Sequence, residues 1–137
     1  MKIDSFAILA ARILIVDDQP ANLSLLERLL AEAGYTQVVS TTASHEVCGM
    51  HGAQPFDLIL LDLHMPGVDG FEVMAGLKAA DADASVPVIV LTAQPAHKLR
   101  ALQAGARDFI SKPFDLLEVK TRIHNMLEVR LLHRQLA

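Results

Sequence analysis

The chain has no tryptophan, one tyrosine and one cysteine among its 137 residues. Cys48 therefore has no partner for an internal disulfide, which excludes a stapled secreted scaffold and fits a reducing compartment. With aromatics at 4%, packing falls to Leu, Val, Ile and Ala. No run of Lys and Arg occurs and the formal net charge is -4, so the basic stripe that neutralises nucleic-acid phosphates is missing and no direct nucleic-acid partner is expected. Long apolar runs are missing too. The stretch from Phe6 to Ala11 is cut by Arg12, too short for a signal-peptide core or a membrane span. The reading is a cytoplasmic protein of one domain, long enough to bury roughly two-thirds of its unfolded surface without staples.

What the chain does contain is a repeated placement. Asp17 and Asp18 follow Ile13 to Val16, Asp62 follows Leu58 to Leu61, Thr92 follows Val88 to Leu91, and Lys112 and Pro113 follow Phe109 and Ile110. Nearly continuous apolar runs are what parallel strands covered on both faces require. Between them lie helical patterns: Pro20 opens one with Leu23, Leu26, Leu29 and Leu30, closed by Gly34. A weaker helix spans about Ser44 to His51 after a short strand at Val38 and Val39. Another runs through Phe71, Met74 and Leu77 behind a turn at His64 to Val68 and an Asp69/Glu72 cap; one lies around Ala96 to Gln103; the last starts after Asp115 with Leu116, Val119, Ile123 and Met126 on one stripe. Asp81 to Ser85 reads as a polar connector. Alternation of five strands with five helices predicts an α/β fold, a doubly wound parallel sheet. Beyond Met126 the apolar residues shift to Val129, Leu132 and Leu136, a stripe expected to face away from the core.

In such a sheet ligands bind at the carboxyl ends of the strands. Taken singly, paired acids after a strand read as a turn or cap, Thr92 as a helix cap and Lys112 as a loop charge. Their conjunction at the same end of successive strands follows from no structural rule. Clustered carboxylates need a cation, and Mg2+ prefers oxygen ligands, so Asp17, Asp18 and Asp62 read as a Mg2+ pocket. Asp62, on a central strand, is the candidate nucleophile for phosphorus, with Thr92 and Lys112 holding the remaining oxygens.

These motifs, Ile-Val-Asp17-Asp18, Leu-Asp62-Leu-His-Met-Pro66-Gly67-Val-Asp69-Gly70, Leu-Thr92-Ala93, Gly105-Ala106-Arg-Asp108-Phe109 and Lys112-Pro113-Phe114, resemble the receiver domain of two-component response regulators, of the chemotaxis-regulator type, over about Arg12 to Glu128. The resemblance implies a flavodoxin-like sheet of strand order 2-1-3-4-5. It makes Asp62 the phosphoacceptor, Asp17 and Asp18 the metal acids and Thr92 and Lys112 the phosphoryl-binding pair, with a cis peptide before Pro113. The backbone carbonyl of His64 becomes a further metal ligand, its ring free; an imidazole ligand is the sharper alternative. His64 and Gln94 occupy positions that tune phosphoryl lifetime. Phe109 becomes a switch aromatic paired with Thr92, or simple core filler.

The resemblance implies a histidine kinase or histidine phosphotransfer protein as partner, and leaves open a homodimer through the fourth helix, fifth strand and fifth helix, or a linked output domain. Residues 1–11 read as an extension, 12–128 as the receiver and 129–137 as a helical tail or linker. The chain is expected to promote its own phosphorylation and dephosphorylation without turning over an external substrate. A rival aspartate-nucleophile phosphatase resembles a pattern with an acid where His64 stands, and a flavin site would need a Ser/Thr/Gly-rich cradle where Asp17, Asp18, Gln19 and Pro20 stand. An unphosphorylated docking or dimerisation module on the same scaffold is the other alternative. The remaining histidines, His45, His51, His97, His124 and His133, have no ligand spacing and are expected at the surface.

Overall fold

Side chains of a strand alternate between faces, so a strand apolar at every position must be covered twice. The computed structural model shows this arrangement. It describes residues 4–65, 67, 69–80 and 86–136, without the side chain of Leu136; Pro66 and Val68 of the expected turn and the connector Asp81 to Ser85 lie outside the described residues. Strands β1 (Arg12–Val16), β2 (Gln37–Thr41), β3 (Leu58–Asp62), β4 (Val88–Thr92) and β5 (Asp108–Ser111) form one parallel sheet in the order β2-β1-β3-β4-β5. On one face Ile13, Ile15, Leu58, Leu60, Ile89 and Leu91 join one core. On the other, Leu14, Val16, Ile59, Leu61, Val88 and Val90 join a second.

Among the described residues six helices flank the sheet where the sequence pattern predicts five: α1 (Ser5–Leu9), α2 (Pro20–Glu32), α3 (Val47–Ala53, entered through a 3-10 turn at Ser44–Glu46), α4 (Gly70–Ala80), α5 (His97–Gln103) and α6 (Leu116–Leu136). The expected fourth and fifth helices are thus α5 and α6. The additional α1 is one short turn and a half, started by Asp4, whose Oδ1 accepts from the Phe6 N–H at 2.9 Å. Its Ile8 is buried with Ala11 in the same core as α2 and α6, and Leu9 packs on that core. Gly34 ends α2 at φ 101°, a left-handed conformation in which an added Cβ would also lie 3.3 Å from the Leu9 side chain.

On α6 the buried residues are Val119, Ile123 and Leu127, whereas Leu116 is exposed; the stripe is rotated from the one the spacing predicts. Val129 points to solvent as expected, but Leu132 packs on the core with Leu131, correcting that part of the reading. The cause is α1, which lies against α6 and lengthens the surface it covers. Near its end Arg134 pairs with Asp57, whose other oxygen accepts from the Arg12 N–H at 2.9 Å. The described residues include no helix long and apolar enough to cross a membrane.

Candidate functional site

Parallel register carries the four strand ends to one edge. Val16 is opposite Leu61, Asp62 opposite Leu91, and Thr92 opposite Ser111, so Asp17, Asp62, Thr92 and Lys112 follow one another across the sheet. Asp17, Asp62 and Thr92 are buried. Asp17, Asp18 and Asp62 each place a carboxylate oxygen within 4.8 Å of the others.

Among the described residues one cation enters this cluster. Lys112, which precedes a cis peptide to Pro113, sets its Nζ 3.1 Å from Asp17 Oδ2 and 3.2 Å from Asp62 Oδ1. Asp62 Oδ1 also accepts the His64 N–H at 3.2 Å. Among the described residues both donors fall on Oδ1, which leaves Oδ2 as the oxygen available for chemistry. Burial pushes the Asp62 carboxyl up to about 6, and the Asp17 charge adds to this; the His64 N–H and Lys112 pull it down. One ammonium does not offset three carboxylates, so this is a site short of positive charge. An oxygen-only donor set of that charge fits Mg2+ and not a softer metal.

Asp17 is fixed by residues the sequence reading did not single out. Its Oδ1 accepts from the Gln19 N–H at 2.9 Å and its Oδ2 from Asn22 Nδ2 at 3.2 Å. Asn22 lies in the first turn of α2, five residues on, a spacing that could have flagged it. At Gly70 an added Cβ would stand 2.8 Å from Leu63 Cα and 2.9 Å from the Asp62 carbonyl oxygen; α4 can start this close to the acid only with glycine there.

Thr92 Oγ1 accepts the Gln94 N–H at 3.1 Å, closing a local turn. Phe109 is half-buried, with Lys98 Nζ 4.5 Å and Arg122 Cζ 5.6 Å from its ring centroid. Arg122 in turn holds both oxygens of Asp108, at 2.8 and 2.9 Å. One histidine departs from the surface expectation: His51 is buried and its Nδ1 accepts the Phe56 N–H at 3.0 Å. His97 lies at the surface and meets the ring of His64 there, Nδ1 to Nε2 at 2.9 Å. The cause is β3 and β4 lying side by side, which brings the loops after them together across 33 residues of sequence.

Known proteins resemble the chain in sequence and in fold. The family model described as response regulator receiver domain matches residues 13–124. The transcriptional regulatory protein TcrA of Mycobacterium tuberculosis is 39% identical over 114 residues, 82% of this chain and 44% of that protein. Response regulator PleD of Caulobacter vibrioides is 36% identical over 125 residues, 90% of this chain and 27% of that protein. The chain thus spans less than half the length of these two relatives. Among solved structures, the receiver domain of the sensor histidine kinase PA1611 from Pseudomonas aeruginosa, with magnesium coordinated in its active-site cleft, superposes with TM-score 0.78 at 29% identity, covering 86% of this chain and 98% of that one. Chemotaxis protein CheY4 of Vibrio cholerae gives TM-score 0.73 at 27% identity, covering 83% and 98%. The chain belongs to the response regulator receiver domain family of two-component signalling.

Proposed function

We propose that this domain accepts a phosphoryl group on Asp62 from the phosphohistidine of a kinase or phosphotransfer protein. The observation that carries the reading is Lys112, which bridges Asp17 and Asp62 from two strands at the mouth of the sheet. A carboxylate oxygen of Asp62 attacks phosphorus, the phosphorus–nitrogen bond breaks, and the imidazole leaves with the electron pair and takes a proton. Asp62 then carries an acyl phosphate. Bound Mg2+ would be held by Asp17, Asp18, Asp62 and the carbonyl of His64, and supplies charge neutralisation on the transferring oxygens. Lys112 passes from the carboxylates to one phosphoryl oxygen and the Thr92 hydroxyl turns from Gln94 to another.

The added charge and three acceptor oxygens give Thr92 that new partner. Its rotation opens space for Phe109 to turn inward, reshaping the surface of α5, β5 and α6. That surface serves as the docking or homodimer face of a receiver over residues 12–128, and the end of α6 from Val129 on is a helical tail or the start of a linker to an output domain. The coupling needs only about 1–3 kcal/mol to be useful. Signalling through partners, without turnover of an external substrate, is the activity assigned.

A small phosphodonor with Mg2+, followed by intact mass, tests the reading. One phosphoryl group is expected on the wild type and none on Asp62→Asn; an unmodified wild type would favour the docking module. The His64 side chain, two residues beyond Asp62, sets the lifetime of the adduct, and an unchanged dephosphorylation rate in His64→Ala, which keeps the backbone N–H on Asp62, would reject that role.

A further inference from the structure

The His64–His97 contact lies outside the acid pocket and no step above uses its ring nitrogens. We propose that the two imidazoles chelate a borderline divalent cation of the Cu2+, Ni2+ or Zn2+ kind, at a second metal site on the rim of the phosphorylation pocket. His64 Nε2 and His97 Nδ1 are 2.9 Å apart, with ring centroids 4.7 Å apart and planes inclined at 39°. Two metal–nitrogen bonds of about 2.0–2.1 Å separate their nitrogens by roughly 2.9 Å at the right angle of tetragonal Cu2+ or Ni2+ and by roughly 3.3 Å at the tetrahedral angle of Zn2+, for which the pair has to part by about 0.4 Å. The rings converge from two segments, the loop after β3 and the start of α5. Both line a cleft of about 390 Å³, so water has room to complete the coordination.

The His97 ring is supported from behind. Phe71 meets it edge-on, centroids 6.4 Å apart at 86°, and Arg100 Cζ sits 3.8 Å from the Phe71 centroid. A supported ligand loses less freedom on binding. Donor type separates the two sites: imidazole nitrogen selects the later first-row divalent ions, while the oxygen-only acid cluster suits Mg2+. Without metal the pair is satisfied by one N–H···N hydrogen bond; on binding, the bridging proton leaves the converging nitrogen and the ring's other nitrogen takes one up from solvent, so each ring ligates through an unprotonated nitrogen. Such an ion would clip the phosphoacceptor loop to α5.

The site does not depend on the phosphoryl reading, and the test separates the two. The full chain, saturated with Mg2+ to mask the acid cluster, is titrated with Zn2+ and with Ni2+ by calorimetry. One equivalent of each should bind. Loss of a group that merely orients a ligand weakens metal sites by about 10–100-fold, so His64→Ala and His97→Ala should each weaken binding at least about tenfold. Asp62→Asn should bind as the wild type does, even if phosphorylation fails. Ni2+ should broaden the His64 and His97 ring resonances before those of the other histidines. No uptake under excess Mg2+, uptake surviving both histidine variants, or uptake lost in Asp62→Asn alone would each overturn the proposal.

Discussion

Asp62→Asn should make the metal-free domain more stable at neutral pH. The Asp62 carboxyl is 2% exposed and its pKa is pushed from 3.8 to about 6, first by burial and then by the Asp17 charge. A folded-state pKa above the unfolded value means the native protein binds the proton more tightly. Relative stability from this group is therefore fully present below about pH 4 and lost as pH rises through about 6, a loss of about 3 kcal/mol. An amide of the same shape carries no charge to lose. It forfeits the charge-assisted contact with Lys112, which keeps Asp17 at 3.1 Å, so a net gain of about 1–3 kcal/mol is expected at about pH 7.5. For a domain of this size that is a rise of roughly 4–10 °C in the midpoint. Thermal and urea unfolding in EDTA at about pH 7.5 and about pH 4 would read it, with the gap closing at the lower pH. Added Mg2+ should raise the wild type and close the gap from the other side, since a ligand of the native state stabilises by mass action. Asp62→Asn equal to or below the wild type in EDTA at the higher pH would refute the reasoning.

Lys112→Ala leaves Asp17 and Asp62 facing each other; it should cost about 3 kcal/mol at neutral pH in EDTA, and combining it with Asp62→Asn should recover part of the loss in a double-mutant cycle. Gly70→Ala drives a methyl to 2.8 Å from Leu63 Cα; a loss of about 1–3 kcal/mol and shifted amide resonances at His64 and Leu63 are expected. Ile8→Ala, at a buried position of α1, should cost about 2–4 kcal/mol in urea unfolding, whereas Phe6→Ala, at an 81% exposed position, should cost little. Beryllofluoride binding should shift the amides around Phe109 and α6; an unchanged spectrum there would remove Phe109 from the switch.

The sheet was legible because β1, β3 and β4 each carry four consecutive apolar residues, Ile13 to Val16, Leu58 to Leu61 and Val88 to Leu91, a pattern that survives any uncertainty about their ends. The site was legible because strand ends in a parallel sheet share an edge, so four separate motifs became one place. The edge strand β2 showed only Val38 and Val39, since Gln37, Ser40 and Thr41 are not apolar and the strand is at most half-buried. Helix α1 was hidden by brevity: Asp4 is its cap, but Phe6, Ala7 and Ile8 fit no helical stripe long enough to read. On α6, Leu116 and Leu127 are both leucine, and only the packing of α1 and the sheet decides that Leu127 is inside. The His64–His97 contact depends on side-chain directions in two loops, which no spacing in the sequence encodes.

The central claim, phosphoryl transfer to Asp62, is tested most directly by locating the modified residue. After reaction with a small phosphodonor and Mg2+, borohydride reduction converts an aspartyl phosphate to homoserine, and peptide mass mapping finds it. The account predicts homoserine at position 62 alone. Reduction at position 17 or 18, or none at all on a protein that has taken up phosphate, would contradict it.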